Sequence, residues 1–182
     1  DDRLFTTKDL SGKSYFPSGV KEEKYADVGN AVHGYFGALP SLVNMDTASK
    51  SVVAERCLSA FQVTGVISSE DLVATGARFS KWVSEEYPSA IWHTEVPATG
   101  PRSRGGQWNG TLDLVLQLTD GGIVIIDHKS APIKREVCAK HAAKYTDQLL
   151  AYREMLAASG HDVQSCWIHF PLAGVMAKQI AK

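Results

Sequence analysis

The 182-residue chain is 44% hydrophobic and 21% charged, the make-up of a globular domain long enough for one sizeable core. A net charge of −1 argues against a chain that holds duplex nucleic acid by bulk positive charge, and leaves room for an enzyme that works through metal ions and a local basic strip. Three cysteines (Cys57, Cys138, Cys166) without a CxxC pair argue against a disulfide framework or a zinc site. No apolar run approaches the roughly 18 residues of a membrane span, so a cytoplasmic location with no membrane partner is expected.

The first residues are Asp-Asp rather than Met, and a piece of a larger protein is expected. Residues 1–24, polar and rich in Gly, Ser and Lys, read as an extended lead-in to a single domain over 25–182. Within that domain a helical part spans about 25–88 and an α/β part about 89–182. Val28, Val32, Tyr35, Phe36 and Leu39 recur at helical spacing over 26–39, with Pro40 as a stop. Two further helices are predicted over 48–63 and 69–87. The second follows a Ser-Ser cap and closes at Pro88.

The pattern then changes to strands. A short one over 90–98 precedes the loop "TGPRSRGGQ". Two aliphatic runs separated by Thr119-Asp120-Gly121-Gly122 follow and read as a β-hairpin. A long helix over about 135–158 ends at Ser159-Gly160, and a last strand is predicted over 163–170. The order, helices and then β-β-β-α-β, predicts a mixed α/β domain whose final strand crosses over to lie parallel to an earlier one.

The hairpin carries three charges where aliphatic residues belong: Asp113, Asp127 and Lys129. Strand alternation puts Asp127 and Lys129 on one face with His128 opposite. It puts Asp113 and Val115 opposite Leu112, Leu114 and Leu116. Two carboxylates and an ammonium converging at one end of a hairpin suit a hard divalent cation such as Mg²⁺ or Mn²⁺. Such an ion offsets their repulsion and activates a water against a phosphodiester, with Lys129 beside the developing negative charge. On spacing alone, a structural ion pair between strands accounts for the charges equally well.

Asp113, a hairpin and then "IIDHKS" resembles the D…(D/E)xK signature of the PD-(D/E)XK nucleases, and within them the nuclease domain of RecB/AddA-type helicase–nucleases of the UvrD/Rep kind. The chain also offers "GNAVH" with His33, "HTEVP" with Glu95, "NGTLD" with Gly110, and "KYTDQLLAY" with Tyr145, Gln148 and Tyr152, all in the family's order. The resemblance implies a restriction-endonuclease-like mixed β-sheet flanked by helices.

It implies metal ligation by His33, Asp113, Asp127 and the backbone carbonyl of His128, and a catalytic Lys129. Gln148 and Tyr152 would lie alongside the site, with Glu95 and Tyr145 behind the ligands. His128 stands where Tyr is common and Ser130 where Thr is common. Some relatives hold an iron–sulfur cluster by four cysteines; three scattered ones lead us to expect none.

The activity implied is a Mg²⁺- or Mn²⁺-dependent deoxyribonuclease, the exonuclease part of a helicase–nuclease in DNA repair or recombination, acting on single strands or ends. No GxxxxGK[ST] loop is present, so a helicase motor would lie elsewhere in the polypeptide or in a partner subunit. The alternative is a non-catalytic, nuclease-like module for DNA binding or subunit docking. Arg102, Arg104, Lys134, Arg135, Lys140 and Lys144 form the candidate DNA-contacting strip, and Trp92 and Trp108 are candidates for stacking on bases.

Overall fold

The aliphatic run Ile123–Ile126 can be buried on both sides only if both faces of its sheet are covered. The computed structural model, which describes residues 4–15, 21–101 and 105–180, meets that requirement. Six strands form one sheet: β1 (Phe5–Asp9), β2 (Ile91–Pro101), β3 (Gln107–Gln117), β4 (Ile123–His128), β5 (Val163–Phe170) and β6 (Val175–Gln179). Their spatial order is β1-β6-β5-β4-β3-β2, antiparallel at every step except the parallel β4–β5 pair. Helices α1 (Tyr25–Leu42), α2 (Thr47–Ala60) and α3 (Ser69–Glu86) pack on one face. Helices α4 (Cys138–Ala142) and α5 (Thr146–Ala158) pack on the other.

Local chemistry sets the boundaries. The Ser68 hydroxyl accepts the Asp71 N–H at 3.0 Å and starts α3, which then buries Leu72, Phe79, Trp82 and Val83 on one stripe. Asp46 caps α2 in the same way through the Ser49 N–H at 2.7 Å. In the β3–β4 hairpin Gly121 takes φ +85°, and the Asp120 carboxylate accepts the Gly122 N–H at 2.8 Å. Pro97 and Pro101 are tolerated in β2 because it is an edge strand, where a missing N–H breaks no inner ladder.

Three expectations change. Pro40 does not stop α1; it sits in the last turn, where its missing N–H costs one bond at most, and the helix continues to Leu42. The helix expected over 135–158 is broken by 3₁₀ turns at Arg135–Val137 and Ala143–Tyr145. The break lets α4 lie against β1 and β6 while α5 lies against β2 and β5, which one straight rod could not do on a twisted sheet. Residues 5–9 of the expected lead-in form edge strand β1, and β6 was not anticipated at all.

Arg135, one of the expected DNA contacts, is tied into the fold as a structural clamp. Its guanidinium donates to the Ala173 carbonyl at 2.8 Å, to the Gly12 carbonyl, and to Asp9 at 3.2 Å, tying the segment after β4 to the β1 end and the β5–β6 turn. These bonds use three of its five N–H donors. Arg135→Ala is expected to cost about 2 kcal/mol in a denaturant titration and to leave DNA affinity unchanged. Among the described residues, no helix is long and apolar enough to cross a membrane.

Candidate active site

The carboxyl end of β4 gathers the charged residues. The β3–β4 register pairs Leu114 with Ile126, so one step further Asp113 faces Asp127. The Asp113 carboxylate accepts the His128 N–H at 2.7 Å, taking the place of a ladder carbonyl. Asp127 and Lys129 share the α5 face as expected, with Lys129 Nζ 2.8 Å from Asp127 Oδ2 and 4.7 Å from the centre of the Tyr145 ring. His128 points the other way, into the rings of Phe36 and Phe79.

The alternation expected along β3 fails beside Asp113. Leu112 packs with Val115 in the α5-side cluster, whereas Leu114 and Leu116 pack in the α1–α3 cluster. Opposite the break, the β2–β3 ladder passes from Thr94–Leu114 to Val96–Leu112 without a Glu95–Asp113 step. Glu95 there adopts φ +53°, a left-handed conformation in mid-strand. That turn aims its carboxylate at α1, where Oε1 lies 2.6 Å from His33 Nε2. His33 Nδ1 in turn lies 3.7 Å from Asp113 Oδ2.

A strained backbone at a site residue gives a direct comparison. Glu95→Ala and Glu95→Gly both delete the carboxylate that holds His33, so both should lose activity alike. Only glycine relieves the left-handed strain, and Glu95→Gly is expected to be the more stable of the two by about 1 kcal/mol in thermal unfolding. Equal melting temperatures would show that the conformation carries no cost.

On the α5 side, Gln148 Nε2 donates to the Tyr152 hydroxyl at 2.9 Å and approaches Asp127 Oδ1 at 3.5 Å. The Tyr152 hydroxyl donates to the Thr111 carbonyl at 3.1 Å. Gly110 of "NGTLD" borders this brace, where a Cβ would lie in ordinary contact with the Tyr152 ring at 3.4 Å. Gln148 therefore borders a carboxylate, and Tyr152 acts through Gln148 and β3.

Electrostatics mark the same place. Burial, and then the Asp127 charge, push the Asp113 carboxyl up to about 6. Burial also raises Asp127, partly offset by Lys129. Burial works against the Lys129 ammonium, yet the neighbouring carboxylates hold its pKa above the ordinary lysine range. The His128 ring is pushed down to about 3 by burial and then by the charges of His33 and Lys129.

The donor set fits a hard divalent cation. Asp127 Oδ2 is buried with the Lys129 ammonium 2.8 Å away, so this carboxylate is already held beside positive charge. Two neighbouring carboxylates, Asp127 buried and Asp113 half-buried, call for positive charge. Among the described residues, no three His, Cys, Asp or Glu side chains already surround one point. Asp113 and Asp127 alone are as many carboxylates as an ion such as Mg²⁺ takes from a protein, the rest of its shell being water.

A model of the PD-(D/E)XK nuclease superfamily matches residues 8–175. The chain belongs to that superfamily. No curated protein matches it. The mixed six-stranded sheet flanked by helices is the restriction-endonuclease-like fold, and a nuclease of this superfamily hydrolyses phosphodiesters.

Around this PD-(D/E)XK centre, Lys134, Lys140 and Lys144 are exposed, while Arg102 and Arg104 lie outside the described residues. Trp92 is half-buried and packs T-shaped against Phe79 at the rim of the α1–α3 core. Trp108 is half-buried against the α5-side cluster. The cysteines are free thiols in three separate elements, α2, α4 and β5. One participant the sequence reading missed is His169, whose ring meets His128. Its position in "VQSCWIHF" gives the face it occupies, but only the β4–β5 register gives its partner.

Proposed function

We propose that this domain is a Mg²⁺- or Mn²⁺-dependent deoxyribonuclease, the exonuclease part of a helicase–nuclease acting in DNA repair or recombination. The observation that carries the reading is the juxtaposition of Asp113, Asp127 and Lys129 at the end of β4. Asp113, Asp127 and His33 would hold the cation, with the His128 carbonyl as a further oxygen. The cation would supply Lewis acidity and lower the pKa of the attacking water.

The protein's own groups have separable tasks. Lys129, held protonated by its neighbours, is suited to stabilise negative charge on the phosphoryl oxygens and unsuited to act as a base. Glu95 orients His33 through Nε2, which leaves Nδ1 toward Asp113. Gln148 steadies Asp127, and Tyr145 lies beneath the Lys129 ammonium. Exposed Lys134, Lys140 and Lys144 would track the phosphate backbone of single strands or ends. The order of the His33, Glu95, Asp113, Asp127–Lys129 and Gln148–Tyr152 elements supports the RecB/AddA-type assignment, and with it a helicase motor in the same polypeptide or a partner.

The test is cleavage of single-stranded and blunt duplex DNA with Mg²⁺, Mn²⁺ or chelator. Metal-dependent release of short products is the expected result. Tight DNA binding without cleavage in any metal would overturn the enzymatic reading and leave a binding or docking module.

A further inference from the structure

His128 is the junction of the site. Its N–H holds the Asp113 carboxylate at 2.7 Å, and it lies between Asp127 and Lys129 in sequence. Its ring packs on Phe36 and Phe79 and has the His169 ring as a polar partner. His128 and His169 are direct partners in the β4–β5 register, and their Nδ1 atoms lie 2.9 Å apart. His169 is fully buried and stacks on Phe79 at 4.4 Å and 19°, with Phe36 closing the other side. Its backbone carbonyl accepts the Lys129 N–H at 2.8 Å.

We infer that His169 is a positioning residue for the proposed nuclease reaction: an Nδ1–H···Nδ1 bond to His128 fixes the end of β4, so that Asp113, Asp127 and Lys129 face one point. The inference rests on the nuclease reading for its activity arm only. Two ring nitrogens facing each other at hydrogen-bond distance share one proton, since two N–H groups would collide. His169 Nε2 is buried without a partner. Leaving it as a bare lone pair is less costly than leaving it as an orphan N–H, so the shared proton sits on His169 Nδ1 and His128 accepts. An apolar pair would fill this ring cluster without desolvating polar nitrogens, so packing alone gives no reason for two histidines.

The experiment compares wild type with His169→Phe and His169→Asn. Phenylalanine keeps the stack on Phe79 but has no donor. Asparagine places an N–H where Nδ1–H was, at the cost of ring volume. Stability should therefore rank Phe above Asn, and kcat should rank Asn above Phe. The Phe variant is expected to lose about one to two orders of magnitude in kcat at little-changed KM. Activity that simply follows melting temperature overturns the inference. Nitrogen NMR of the imidazoles gives a second readout: a buried ring protonated on Nδ1 supports it, and only Nε2-protonated rings overturn it. If the wild type cleaves nothing, the nuclease reading fails separately. Positioning is then judged by hydrogen-exchange protection of the Lys129 amide, kept in the Asn variant and lost in Phe if the inference holds, and unchanged in both if it does not.

Discussion

Lys129→Met is expected to lower DNA cleavage by about a thousandfold, the cost of removing one preorganised charge from a phosphoryl-transfer site. Because burial is outweighed by the neighbouring carboxylates, Lys129 is an ammonium at neutral pH, so its loss removes charge stabilisation and no base. The same change leaves Asp127, 2% exposed, without its nearest cation. Breaking a buried pair on one side costs about 3–5 kcal/mol when the remaining charge cannot adapt. Asp127 can adapt, since burial already raises its pKa and it can take up a proton. The stability loss of Lys129→Met should therefore shrink on acidification. Asp127→Asn should abolish cleavage and weaken Mn²⁺ binding measured by calorimetry. In the double variant most of the stability lost in Lys129→Met should return, because no buried charge is then unpaired. Cleavage by Lys129→Met at the wild-type rate would refute the role assigned to the ammonium.

The parts of this molecule visible in its sequence are those set by neighbours along the chain. Period 2 put Asp127 and Lys129 on one face, the Asp-Gly-Gly turn gave the hairpin, and Ser68 marked the start of α3. What stayed hidden depends on residues far apart in sequence. β1 buries only Phe5, so it has no alternation to read, while Val175, Met176 and Ala177 of β6 are all buried and show none either. The left-handed residue Glu95 in β2 lies opposite the face change in β3, and nothing in "HTEVP" announces it, since glutamate is not a residue that favours that conformation. Arg135 looked like a phosphate contact because its partners are mostly backbone carbonyls from residues 12 and 173, which leave no side-chain signature. His169 needed the parallel register to find His128.

Metal-free stability should carry the signature of Asp113. Its folded pKa is about 6, raised by burial and by Asp127, against about 3.9 in an unfolded chain. Between those values the folded protein holds a proton that the unfolded chain has released. The stabilisation is thus complete below about pH 4 and is lost as pH rises through 6. Asp113→Asn cannot ionise, yet its amide oxygen can still accept the His128 N–H. In chelator, the variant and wild type should differ little at acid pH, and the variant should be the more stable by about 2–3 kcal/mol at pH 7.5. Adding Mg²⁺ should reverse the order at pH 7.5, because a cation that binds the folded carboxylate pair stabilises wild type in proportion to the logarithm of its concentration. The comparison is read from melting temperatures across pH with and without the ion. A variant that stays below wild type at every pH in chelator would mean that burial and the Asp127 charge do not raise the Asp113 carboxyl, and the case for a cation beside it would fall with that result.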